Sequence, residues 1–456
     1  MPIDDVTKVE ADTNIANIYA IEVAKPLLNI SALTVHADAA WADPNYNRCP
    51  EEWLGYIPIV AIIEAKGAIA SAHSAIQGPI SYYCAGDPTC SNHNDPNNDA
   101  HSIAVMGIIA ADSNSPYGSY MKGVAYNVCR PLLSAGFEDG YHMEATDWAL
   151  SHWATVINLS WAAYEFGTGL TSYDKYFDFI AESYHRTVVA GAGNYHYIDP
   201  NASNRVTPPG RAYNVITVGA FNDHNSVSWQ NDWFSPFSCY GDPCSTNNDR
   251  RKPEVVAPGE QIWITDKNNG YTAVDGTSFA APHVTGAAAL LIAKSPYLEA
   301  QPEEVAAILM ASAIHDIIGD PNAYNPFLHD KDGVGAIDIA SAKNVIDNGL
   351  NSHYTFTYND FPFNKYFSVT QGEKVRAVIR WFSKRDDQGH DVLKADLDLE
   401  AYDPDGNVIM SSASRDNNYE IVGLTANVTG NYRITIPQPR KFLDENEHVG
   451  LAICKY

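Results

Sequence analysis

The chain has 456 residues, 45% of them hydrophobic, with 29 Lys plus Arg against 55 Asp plus Glu for a formal charge of −26. That length and apolar share bury a large core in more than one domain and exclude a disordered chain. The acidic balance argues against nucleic acid or anionic lipid as the main partner, and no apolar run reaches the roughly 18 residues of a membrane span, while clustered carboxylates leave room for structural calcium.

In chain order, the opening MPIDDVTKVEADTN lacks the basic and apolar regions of a signal peptide, so a truncated, processed or recombinant chain is expected. From about residue 57 to about residue 345, apolar bursts alternate with helix-length stretches. IPIVAIIEA, KGVAYNVCRPLL, TVINLSWA, RTVVAGAGN and NVITVGAF read as buried strands, being short, rich in Val and Ile, and closed by Gly, Asn or Ala. HSIAVMGIIAADS, MEATDWALSHW and YDKYFDFIAESYHR read as the helices between them. The alternation predicts an α/β fold, a mainly parallel sheet with helices on both faces. Chemistry is then expected at the carboxyl edge of the strands, where Glu64, Ser160 and Asn194 fall.

After IDNGL the pattern changes to KVRAVIRWF, ADLDLEAYD, NVIMSS and NYRITIP, separated by turns such as Asp403-Pro404-Asp405-Gly406-Asn407. This alternation predicts a C-terminal antiparallel β-sandwich with no catalytic set of its own. The expected division is an N-terminal extension over 1–32, a catalytic domain over 33–350 and the sandwich over 351–456.

Seven cysteines include two close pairs, Cys84 with Cys90 and Cys239 with Cys244, in Gly, Pro, Asn and Asp-rich loops that suit small disulfide rings and an oxidising compartment. Cys49, Cys129 and Cys454 are left over, so at least one thiol is free if all bonds are internal. Neither pair has the spacing of a structural zinc site.

The stretch DGTSFAAPHVTGAAALLIAK, residues 275–294, puts Gly-Thr-Ser ahead of a small-residue helical run. Gly276 can adopt backbone angles closed to other residues, and Pro282 fits early helical positions that need no internal N–H bond. Ser278 then sits at the positive mouth of a helix, where backbone N–H groups stabilise negative charge, although a serine there is in many helices only a cap. A nucleophilic serine needs a base, and His101 heads the apolar helix that runs on to Gly107 behind a polar Asn/Asp loop.

The run from Gly276 to Val284, Gly-Thr-Ser-Phe-Ala-Ala-Pro-His-Val, continuing through Gly286, matches the serine signature of the subtilisin-like serine proteases, and the chain resembles that subtilase family over roughly residues 57–345. KPEVVAPGEQIWIT resembles the strand before the serine loop, VINLSWA the substrate-binding strand, VVAGAGN the segment ending in the oxyanion asparagine, and HDKDGVGAIDIASA the closing Gly-rich turn and helix. PLLNISALTVHADAAW is similar to the entry into the catalytic domain, and the residues before it resemble the tail of a propeptide.

The resemblance implies a serine endopeptidase working through an acyl-enzyme. Ser278 is the nucleophile and His101 the general base and acid, while Asn194 and the Ser278 N–H form the oxyanion hole. Substrate would lie against Ser160, Trp161, Ala162, Gly191 and Gly193. Two motifs depart from the family. VAIIEAKG places Glu64 in the usual Asp position, where a glutamate can still orient the imidazole, with Asp99 as the rival acid. His101-Ser102-Ile103-Ala104-Val105-Met106-Gly107 keeps only the first His and the Gly of the family's histidine motif. His283 is expected to pack within its helix. Ala162 stands where glycine is common, which predicts small or medium apolar side chains before the scissile bond. No cofactor is needed for this chemistry, metal ligands are unassigned, and a secreted monomer acting on protein or peptide substrates is expected. The competing expectations are a peptide-binding pseudoenzyme with lost catalysis, a broader hydrolase or esterase, and an adhesive sandwich protein.

Overall fold

The computed structural model describes residues 28–47, 58–65, 73–76, 80–87, 96–112, 122–128, 132–138, 140–163, 167, 169–194, 205–241, 244–266, 270–317 and 327–456. Most of the 1–32 extension therefore lies outside the described residues.

Eight strands build the main sheet: β1 Val60–Ala65, β2 Ile80–Ala85, β3 Leu132–Phe137, β4 Val156–Leu159, β5 Thr187–Gly191, β6 Ile216–Asn222, β7 Trp233–Phe234 and β8 Val255–Pro258. Their order is β2-β3-β1-β4-β5-β6-β7, with β8 also on β6, and every pairing is parallel except that of β6 with β7. The expected α/β class holds. Strands β3 to β6 are buried along their whole length, as a sheet covered on both faces requires. The order reverses around β1, flanked by β3 and β4, so the loops leaving β1 and β4 diverge and open a crevice at their carboxyl ends.

Two local expectations change. Lys122–Val128 forms turns rather than a strand: Val124 and Ala125 donate their N–H groups to the carbonyls of Ile108 and Ile109, both at 2.8 Å, satisfying the end of the Pro96–Ala110 helix instead of a ladder. Conversely ISYYCA is the edge strand β2, and its half-exposed residues give it no continuous apolar run to read.

Of the expected disulfides, Cys239–Cys244 is not formed, and both are thiols. Cys239 instead packs in a buried cluster with Ala192 and Val206, while Cys244 stays partly exposed. Cys84 is disulfide-bonded, and Cys90, its expected partner, lies outside the described residues. Cys454 is a buried thiol, pushed up to about 12 by burial.

From residue 351 the chain forms two four-stranded antiparallel sheets. One takes Asn351–Phe356, Glu447–Lys455, Lys374–Arg380 and Tyr419–Thr425 in that order, the other Phe363–Val369, Gly430–Ile436, Leu399–Tyr402 and Val408–Ser412. In the first sheet, Lys374–Arg380 and Tyr419–Thr425 are buried on both faces except at their outer ends, Lys374 and Thr425. Along Lys374–Arg380, Val375, Ala377 and Ile379 enter the sandwich core, whereas Val378 joins the core of the parallel-sheet region. The arginines on that second face also point inward. Arg376 donates to the carbonyls of Ala313 and, at 2.7 Å, Val334. Arg380 reaches Glu254 at 3.3 Å and the Tyr213 carbonyl at 2.8 Å.

Glu254 is the hub of this junction. Its Oε1 meets Lys252 Nζ at 2.6 Å and its Oε2 accepts from the Thr217 N–H at 2.8 Å. All three charged side chains are fully buried. Burial pulls Lys252 down to about 8, with Glu254 opposing that shift. Removing the one carboxylate would leave two buried cations facing each other. Glu254→Gln should therefore lose about 3–5 kcal/mol in urea unfolding, whereas a loss under about 1 kcal/mol would mean the network is solvated rather than buried.

Candidate active site

Three adjacent strands supply the site. Glu64 is the fifth residue of β1, Ser160 follows β4 and Asn194 stands three residues past β5. Opposite them runs the helix Thr277–Lys294, buried from Phe279 to Ile292 and opening with Ser278 as its second residue. Gly276 precedes it at φ 152°, and a Cβ there would come within 3.3 Å of Asn194 Nδ2.

Pro282 has a different role from the one its position suggested. It is the sixth residue of the helix, where an N–H would bond the carbonyl of Ser278. Proline leaves that carbonyl free, and Ser160 Oγ donates to it at 2.7 Å. Ser278 Oγ returns a bond to the Ser160 carbonyl at 3.0 Å. Behind this exchange, Asn158 Nδ2 donates to Ser160 Oγ and Thr285 Oγ1 to Asn158 Oδ1, both at 2.8 Å. The serine is thus held to the end of β4 by a buried polar chain.

Asn194 is oriented by a residue that sequence reasoning passed over. Its Oδ1 accepts from Thr277 N at 2.9 Å and Thr277 Oγ1 at 3.0 Å, and that hydroxyl accepts from Gly193 N at 3.1 Å. With its oxygen engaged, the asparagine has only its Nδ2 donor to offer the cavity. The sequence marked the position, since Thr277 is the middle residue of the Gly-Thr-Ser run, but not the partners it meets. Gly193 takes φ 105°, and a Cβ would stand 2.4 Å from Thr207 Oγ1, so no side chain fits there. Ser160, Trp161, Ala162, Gly191, Gly193, Asn194, Thr277 and Ser278 enclose a cavity of about 160 Å³. The Trp161 ring turns away into an aromatic cluster with Phe137 and Tyr173.

On the other side, His101 Nδ1 donates to Glu64 Oε2 at 2.9 Å. Glu64 is 3% exposed and His101 35% exposed. The imidazole lies 5.4 Å from the ring of Phe279, the residue after Ser278. Among the described residues, Glu64 Oε1 has no hydrogen-bond partner. Burial is the largest influence on His101 and opposes its charge, yet the charge and hydrogen bond of Glu64 outweigh it and raise the imidazole above 6.5. Ser278 and His101 are not hydrogen-bonded to each other in this state; the hydroxyl is turned to Ser160. Asp99, the rival acid, has its side chain outside the described residues. His283 packs as expected, with Nδ1 against the Phe279 carbonyl at 2.8 Å and Nε2 against Ser31 Oγ at 3.0 Å. Burial pushes it down to about 4, so the unfolded chain binds this proton first and the fold loses stability as pH falls from 6.5 toward 4.

The subtilase family model matches residues 59–369, more than half of the chain. The chain belongs to the subtilase family. Subtilisin DY of Bacillus licheniformis is 32% identical over 206 residues, covering 44% of this subtilase and 66% of that protein. Subtilisin-like protease 2 of Plasmodium falciparum is 29% identical over 245 residues, covering 51% and 16%. The thermophilic serine proteinase of Bacillus sp. strain AK1 is 34% identical over 196 residues, covering 42% of each. This subtilase therefore spans less than two thirds of the length of these relatives. The solved structure of the prenylagaramide maturation protease PagA aligns at a TM-score of 0.47 and 21% identity over 68% of this chain and 97% of that one.

In this subtilase the Glu64–His101 pair has a pH signature. Folding raises the imidazole pKa, so the pair's stabilisation is complete below about pH 6.5 and is lost as pH rises through the folded-state value. NMR titration of labelled histidine should place the His101 midpoint above 6.5 in the parent. In Glu64→Gln it should fall below that value, because burial then acts alone; an unchanged midpoint would remove Glu64 as the cause.

Proposed function

We propose that this subtilase is a serine endopeptidase that cleaves protein or peptide substrates through an acyl-enzyme. The observation that carries the reading is the 2.9 Å bond from His101 Nδ1 to Glu64. It fixes the tautomer with a bare Nε2, the nitrogen a general base needs, and does so with a glutamate in the place of the family's aspartate.

For attack, Ser278 Oγ leaves the Ser160 carbonyl and turns to His101. Its proton passes to Nε2 as the oxygen bonds to the substrate carbonyl carbon, and the carbonyl oxygen becomes an anion. Asn194 Nδ2 and the Ser278 N–H receive that charge at the positive end of the helix. Collapse breaks the C–N bond, with the amine taking the proton from His101. Water then enters and gives a proton to His101 Nε2 as its oxygen bonds to the acyl carbon; collapse breaks the bond to Ser278 Oγ, which takes that proton back as the acid leaves. The Thr277 clamp on Asn194 supports this reading, because a donor held before charge develops needs no reorganisation when it appears. Loss of one such donor costs about 100- to 1,000-fold in turnover, a magnitude that belongs to another member of the same family.

The cavity of about 160 Å³ bordered by Ala162 supports small or medium apolar side chains before the scissile bond. The same proposal includes secretion, action as a monomer, and a catalytic region over 33–350 followed by the sandwich over 351–456. The second reading, a peptide-binding protein with lost catalysis, is favoured by one observation, the Ser278 hydroxyl turned to Ser160.

A fluorophosphonate probe separates them. Ser278 should be labelled in the parent and unlabelled in His101→Ala, and an unlabelled folded parent would leave the binding reading. Glu64→Asp, which restores the family's usual acid, should lower kcat rather than raise it. The shorter side chain withdraws the carboxylate by about 1.5 Å, one C–C bond, from an imidazole positioned for glutamate. A loss of at least about tenfold is expected from steady-state hydrolysis of a peptide library, and an unchanged or higher kcat would mean that the backbone adapts to either acid.

A further inference from the structure

Far from the serine in sequence, three side chains of metal-binding type converge where the sandwich meets the parallel-sheet region. Glu303 lies in the first turn of the helix Pro302–Ala311, His353 on the strand Asn351–Phe356 and His448 on the strand Glu447–Lys455. The two strands pair antiparallel, with His353 opposite Gly450 and Thr355 opposite His448. The imidazoles therefore occupy diagonal positions on one face, and their rings stack with centroids 5.3 Å apart at 19°.

Gly450 lets the helix reach that face. A Cβ there would stand 2.4 Å from Glu304 N and 2.5 Å from the Glu303 carbonyl carbon. The close approach puts Glu303 Oε1 2.7 Å from His353 Nε2. One ligand atom from each of the three residues lies within 4.8 Å of the other two. His448 Nδ1 is engaged with Thr355 Oγ1 at 3.1 Å, leaving Nε2 available. That is the arrangement of a metal-bound imidazole, whose second nitrogen is steadied by a hydrogen bond.

We propose that Glu303, His353 and His448 form a binding site for a borderline divalent transition-metal ion, zinc by preference, that fastens the Pro302–Ala311 helix to the C-terminal strand pair. Two imidazoles and one carboxylate suit zinc with water in the fourth position, whereas calcium and magnesium require oxygen donors throughout. Bonds of about 2.0–2.1 Å place tetrahedral ligand atoms roughly 3.3 Å apart. Glu303 and His353 separate by about half an ångström to reach that spacing, and the remaining distances close by side-chain rotation. The proton now shared by His353 Nε2 and Glu303 passes to Nδ1 of the same ring or to solvent as the metal takes its place. Besides His353, itself a ligand here, the cationic groups acting on His448 are Lys384 and His185. Lys384 is compensated by Asp444 at 3.0 Å and Glu447 at 3.1 Å, so it does not expel a divalent ion.

The site is independent of the protease reading and is tested without any activity. The full chain, stripped with a chelator, is titrated with zinc chloride by calorimetry and with cobalt(II) by absorption spectroscopy. We expect one strong equivalent of zinc, a four-coordinate cobalt spectrum, a higher melting temperature with zinc, and no displacement by millimolar calcium or magnesium. His448→Phe keeps the ring stack on the solvent-exposed rim but removes the lone pair. It should weaken zinc at least about tenfold and abolish the cobalt bands, as should Glu303→Gln, since loss of outer-shell partners alone costs 10–100-fold at such sites. Fifteen histidines can bind zinc adventitiously, so the variants decide. No stoichiometric binding by the parent, or binding that survives unchanged in His448→Phe, overturns the proposal and leaves an ordinary His353–Glu303 hydrogen bond. The rim position of His448 keeps that variant foldable even if Glu303→Gln is not.

Discussion

One buried rod sets the site. The helix Thr277–Lys294 runs among β4, β5, β6 and β8 with side chains small enough to lie close to each of them. Its mouth therefore falls at the carboxyl ends of three neighbouring strands. From that single placement come the serine exchange with Ser160, the Thr277 grip on Asn194 and the proximity of Phe279 to His101. A proline with no N–H to give the Ser278 carbonyl turns the rod from a passive support into a partner of β4.

Much of this was legible in the sequence, for physical reasons. Short Val and Ile runs ending in small or polar residues fit strands of a covered sheet, so Glu64, Ser160 and Asn194 fell at the right edge, although Lys122–Val128, read in the same way, forms turns. The Gly-Thr-Ser run before a small-residue helix placed Ser278 correctly. The part played by Thr277 was hidden because it depends on how near the end of β5 comes to the helix mouth, a distance no local pattern encodes. Cysteine spacing misled at Cys239 because the thiol serves as a small apolar group in a buried cluster. The edge strand β2 escaped notice because partial exposure breaks its apolar run.

The sandwich teaches a related lesson. Alternation along Lys374–Arg380 revealed a strand, but arginines at alternate positions look like a solvent face. Here Arg376 and Arg380 satisfy carbonyls and a carboxylate inside the molecule, and Val378 between them joins the other core. The sandwich is accordingly a second wall of the parallel-sheet region, joined to it by burial and by charge. Glu254 links the two most directly, touching β6 through Thr217 and the sandwich through Arg380.

The strand Glu447–Lys455 lies between Asn351–Phe356 and Lys374–Arg380, in the interior of its sheet. During synthesis the neighbours on both sides leave the ribosome roughly seventy residues or more ahead of it and must wait with open edges. The wall against which Arg380 and Glu254 meet is thus finished only when residue 455 has emerged. The order of translation therefore delays assembly of this junction until residues 447–455 have followed the two strands they separate.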